Sequence, residues 1–117
     1  MDINIPQLDT IISIIVSIAA PDQIILFGSY ARGDNTEKSD IDLLILKKGI
    51  VKGSDIIDSI YHSFFDHKIG VAVDLLTLDY NRYFELNKEI GYIYKTIKEE
   101  GKVVYGALWR MDWTGKE

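Results

Sequence analysis

The chain of 117 residues contains no cysteine. That excludes a disulfide framework, a thiolate nucleophile and a cysteine-based zinc site, and makes a reducing cytoplasm the simplest home. It has only two prolines, and neither interrupts the longer apolar stretches. No run of apolar residues is long enough for a membrane span: the longest, IISIIVSIAA, has about half the length required. The opening MDINIPQLD is acidic rather than basic, which does not suit a signal peptide. Positive charge is in deficit, with a net charge of −5, so no strong nucleic-acid binding is expected. A metal–nucleotide ligand is not excluded by that balance, because carboxylates are what hard cations bind. Internal repeats, low-complexity tracts and linkers are missing, and the length fits one domain, 1–117.

What is present reads as helices alternating with short apolar strands. Residues 9–19 form a helix, with Asp9, Ser13 and Ser17 in a polar stripe and Ile11, Ile12, Ile15, Ile18 and Ala19 covering much of the rest. QIILF (23–27), IDLLIL (41–46) and GVAVDLLTL (70–78) read as strands, and KVVY (102–105) as a short extended piece. A short helical turn is expected over 29–33 and a polar loop over 34–39. Ser54 is expected to cap a helix to about 66, with Ile56, Ile57, Ile60, Phe64 and Phe65 facing inward. Asp79 and Asn87 read as caps, and a helix from about 88 to 100 stops at Gly101. The pattern predicts an α+β (α/β-like) fold, a small mixed sheet with helices packed on it.

The stretch FGSYARGDNTEKSDIDLLIL, residues 27–46, carries the chemistry. Residues i and i+2 of a strand share a face, so Asp40 and Asp42 project together, Cα atoms roughly 6.5 Å apart. If the strands are neighbours, Asp74 reaches the same spot. Three carboxylates repel unless protons or a cation intervene, and an oxygen-rich cluster suits Mg2+ or Mn2+. Two such ions about 3.5–4 Å apart are able to clamp the attacking and leaving oxygens of a phosphoryl displacement. Gly28 lets backbone approach a ligand, and Ser29 begins a turn whose free N–H groups make a phosphate seat. Other phosphate and metal motifs fail. Gly28 and Gly33 have P-loop spacing, but Asp34-Asn35 stands where Lys-Ser/Thr is required. As an EF-hand, DNTEKSDIDLLI puts Lys38 at a ligand position and Ser39 where glycine is needed.

GSYARGDNTEKSDID resembles the signature of the DNA polymerase β-like nucleotidyltransferases, and more narrowly the minimal nucleotidyltransferases (MNT) of bacteria and archaea. Gly28, Ser29, Ala31, Arg32, Gly33, Ser39, Asp40, Asp42 and Leu43 match, and Asp74 stands where a third carboxylate belongs. The resemblance covers roughly residues 20–105. It implies transfer of a nucleoside monophosphate from a triphosphate such as ATP to an acceptor hydroxyl, releasing pyrophosphate. Asp40 and Asp42 would bind the metal–triphosphate, Asp74 would complete a second metal site and help deprotonate the acceptor, and Gly28 and Ser29 would hold the β/γ phosphates. Arg32 would steady a phosphate or the motif loop. The family also implies a partner, a HEPN-type toxin AMPylated on a tyrosine by its MNT antitoxin, in a homo- or hetero-oligomer. Two alternatives stand beside this: a module that neutralises its partner by binding alone, and transfer to a small molecule or an RNA end.

The remaining residues carry plainer readings. His62 and His67 lie five apart and do not share a helix face, so they make a poor metal pair. Tyr61, Tyr92 and Tyr94 read as core or rim aromatics. The tail, 106–117, has no period; its Trp109 and Trp113, with Tyr105, either cover the core or dock on a partner.

Overall fold

A computed structural model describes residues 5–86 and 92–106. Strand β1 (Gln23–Phe27) is buried at every position, and β2 (Ile41–Leu46) at every position except Asp42. Strands apolar on both faces need neighbours on both sides and cover above and below, and both lie at the centre of a four-stranded sheet ordered β3-β2-β1-β4. β1 pairs antiparallel with β2 and with β4 (Lys102–Gly106), whereas β2 pairs parallel with β3 (Val73–Leu78). The sheet is therefore mixed, as expected.

The two-residue period of the strands divides the core in two. Ile24, Leu26, Ile41, Leu43, Ile45, Val73 and Leu75 pack with helices α1 (Leu8–Ala19) and α3 (Gly53–Asp66). Ile25, Phe27, Leu44 and Leu46 pack with Tyr80 and Tyr83 of α4 (Tyr80–Leu86) and Ile97 of α5 (Tyr92–Glu100). The four-residue helix α2 (Ser29–Arg32) follows β1 directly, and its Ala31 joins the first cluster.

Some local expectations shift. Ile18 is 38% exposed at the end of α1. Phe65 is 82% exposed: adjacent helical residues point about 100° apart, so when Phe64 enters the core Phe65 cannot follow. Ser54 does not cap α3, which begins a residue earlier behind Lys52 and without a side-chain cap bond. Asp79 does cap α4, accepting the Arg82 N–H at 3.0 Å while its other oxygen accepts the Gly49 N–H at 2.6 Å. β3 starts at Val73 rather than residue 70, although the Ala72 carbonyl already accepts the Ile41 N–H at 2.9 Å. Asn87, the start of the 88–100 helix, Trp109 and Trp113 lie outside the described residues.

Candidate functional site

The site is assembled where β1 ends. Gly28 has φ +78° and ψ −157°, a conformation open to glycine and strained for any other residue. Its carbonyl accepts the N–H groups of Ala31 and Arg32 at 3.0 and 3.1 Å, which starts α2. The N–H groups of Ser29 and Tyr30 are then among those a helix start leaves without an intrahelical acceptor. Gly33, at φ +86°, ends the turn, and the N–H groups of Gly33 and Asp34 converge on the Ser29 carbonyl at 2.9 and 3.1 Å. The loop beyond is tied by Ser39, whose hydroxyl accepts the Thr36 N–H at 2.8 Å and whose N–H meets the Thr36 carbonyl at 3.0 Å. The chain then re-enters the sheet with Asp42 opposite Phe27. Gly28 consequently lies against Asp42. A Cβ at position 28 would overlap the Asp42 Oδ2 and stand 3.0 Å from its Cγ, so glycine is required for space as well as for conformation.

The parallel pairing supplies the second carboxylate. Asp42 is the register partner of Asp74, and partners in adjacent strands project from the same face. The Asp42 carboxyl is pushed up to about 6. Burial is the largest cause; the charges of Asp74 and Asp40 follow, while Arg32 opposes them. Two carboxyl groups that face each other repel unless one takes up a proton or a cation lies between them. Asp42 and Asp74 line a pocket of about 270 Å³ with Phe27, Tyr61, Leu75 and Leu76.

Asp40 acts on Asp42 through its charge. Among the described residues no three His, Cys, Asp or Glu side chains close up into a metal cage. The acidic centre is thus a facing pair, 42 and 74, with Asp40 as an outlying charge. Arg32 is turned toward carboxylates: Nε meets Asp34 at 3.1 Å and Nη1 meets Glu100 at 3.2 Å, joining α2 to the end of α5. Those two bonds raise its already high pKa.

Tyr61 is the residue that sequence reasoning missed. Read as a core or rim aromatic, it forms a wall of the pocket. Its hydroxyl donates to the Val73 carbonyl at 2.7 Å and accepts the Leu75 N–H at 3.1 Å. Burial, then the charges of Asp74 and Asp40, push its phenol up, with the Leu75 bond acting against them. Only its polar tip distinguished it in the sequence from its apolar helix neighbours.

Residues 8–104 match the family described as nucleotidyltransferase domain. A Methanocaldococcus jannaschii protein, provisionally named a protein adenylyltransferase, is 40% identical over 84 residues, covering 71% of this chain and 77% of the relative. Among solved structures, a chain of a toxin–antitoxin crystal structure with AMP-PNP superposes with TM-score 0.64 at 19% identity, over 91% of this chain and 79% of that one. A chain from the complex of tri-AMPylated Shewanella oneidensis HEPN toxin with MNT antitoxin gives 0.55 at 18% identity, over 90% and 74%. At those identities the two structures speak for the fold.

Proposed function

The chain belongs to the nucleotidyltransferase domain family, and on that footing we propose that it moves AMP from ATP to a tyrosine hydroxyl of a HEPN-type partner protein, acting as that toxin's antitoxin in the cytoplasm. The observation that carries this reading is the Asp42–Asp74 pair set beside the Gly28–Ser29 turn. The relative named as a protein adenylyltransferase supports a protein acceptor. The solved complexes with AMP-PNP and with an AMPylated HEPN toxin support ATP and a HEPN partner.

In this reading the Ser29 hydroxyl and the N–H groups opening α2 bind the β/γ phosphates, and glycine at 28 keeps that approach clear. The acceptor oxygen attacks the α-phosphorus, the bond to the pyrophosphate oxygen breaks, and pyrophosphate leaves. Asp74 takes the acceptor proton. The donor set fits a hard divalent cation, Mg2+ or Mn2+: oxygen ligands only, with one carboxylate raised first by burial and then by the charges of its neighbours. Asp42 and Asp74 would hold it, with Asp40 adding negative charge from outside the pair, and the open set agrees with the habit of magnesium to take one or two carboxylates and complete its sphere with water and substrate phosphates. When bound, such an ion neutralises charge that builds on the phosphates. Arg32 adds positive field near Asp42 from its place between Asp34 and Glu100.

The test is transfer of label from α-labelled ATP to a HEPN protein encoded beside this chain, in magnesium. Label is expected on a partner tyrosine and is expected to vanish when Asp40→Asn and Asp42→Asn are combined. Absence of label with the intact protein would refute the proposed acceptor. If the double variant still neutralised the partner, binding rather than catalysis would be the mode of action.

A further inference from the structure

Among the described residues β3 is an edge strand, paired only with β2. In a parallel ladder the N–H and C=O of one residue point to the same side. Ala72 bonds toward β2, so Asp74 does too, whereas the Val73 carbonyl and the Leu75 N–H face away from the sheet. Those two outward groups are the ones taken by the Tyr61 hydroxyl, at 2.7 and 3.1 Å. One side-chain oxygen takes the place of a neighbouring strand at a single point, the peptide groups on either side of Asp74. The ring is held in turn by an edge contact with Phe64, centroids 6.0 Å apart, and Phe64 is anchored in the core.

We propose that Tyr61 is a positioning residue for the transfer reaction: its hydroxyl clamps both peptides flanking Asp74 and so fixes that carboxylate against Asp42. The inference rests on the proposed function, since it assigns Asp74 a part in the chemistry. A strand edge without the clamp keeps its pairing to β2 but is free to twist at residue 74, and misplacement of a catalytic group by an ångström costs rate rather than substrate affinity.

The experiment compares the full chain with Tyr61→Phe, which keeps the ring and removes only the oxygen. The variant is expected to lower kcat about tenfold, the rate equivalent of a hydrogen bond, with the ATP KM within about twofold of the parent. Independently of activity, hydrogen exchange at the Leu75 amide is expected to rise about tenfold while amides of β1 stay protected. Retained kcat with unchanged Leu75 exchange would overturn the proposal. So would an equal rise in exchange across β1, which would mark general loosening. AMP found on Tyr61 itself by mass spectrometry would also overturn it, because an esterified oxygen cannot donate to Val73. If the intact protein transfers no AMP to any partner, the proposed function has failed instead; the exchange arm then still decides whether Tyr61 holds the strand around Asp74.

Discussion

Asp42→Asn is expected to stabilise the protein while abolishing transfer. The Asp42 carboxyl titrates at about 6 in the folded chain against 3.8 for an ordinary aspartate, because it is partly buried and faces Asp74 and Asp40. Below about pH 3.8 the group is protonated in both folded and unfolded chains and costs nothing. As the pH rises toward 6 the unfolded chain gives up the proton while the folded one keeps it, so stability falls; above 6 the full cost is present. At 1.36 kcal/mol per pKa unit the shift sets a ceiling of about 3 kcal/mol. Solvent reaches the pocket, and screening reduces this to about 1–2 kcal/mol. Asparagine removes the charge, and its amide is still able to donate to Asp74. In EDTA at pH 7.5, Asp42→Asn should therefore melt roughly 3–10 °C above the parent. At pH 4 the gap should shrink to a few tenths of a kcal/mol, because the parent's carboxyl is then protonated as well. Thermal unfolding followed by circular dichroism at the two pH values measures both quantities. A destabilised variant at pH 7.5, or a gap that does not close in acid, would refute the argument that repulsion at this carboxylate is built into the fold.

Gly28→Ala should lose about 2 kcal/mol or more from positive φ and overlap with the Asp42 carboxylate, with transfer abolished; urea unfolding and label transfer check the two effects. Arg32→Ala should cost little stability, because its ion pairs are exposed to solvent. Chemical denaturation in low and high salt tests this, since the loss should shrink as salt rises. The Tyr83 hydroxyl is buried and has no hydrogen-bond partner among the described residues, so Tyr83→Phe should raise stability by about 1 kcal/mol in a melting experiment.

The central strands were legible because burial on both faces leaves a continuous apolar run, as in QIILF and IDLLIL. Asp40 and Asp42 stood out because a strand beginning with two aspartates asks for compensation, and the strand period alone gives them a common face. Phe65 was misread because two adjacent phenylalanines on a helix look equally apolar and periodicity does not choose between them. The helix at 80–86 was signalled only by its cap, Asp79, since seven residues hold too few turns to show a period. Arg32 was visible as part of the motif, yet its contact with Glu100 joins residues 68 positions apart, beyond any local pattern.

The order of residues determined the strands, the forced turn at Gly28 and the oxygen-only chemistry of the acidic motif, since each follows from conformational preference and side-chain type within a few positions. Tertiary structure decided that Asp74 meets Asp42 rather than Asp40, and that Tyr61 reaches around the sheet edge to hold the peptides beside it. A parallel pairing joins segments separated by a whole helical crossover, and its register is set by how the sheet and its covering helices bury their apolar faces together.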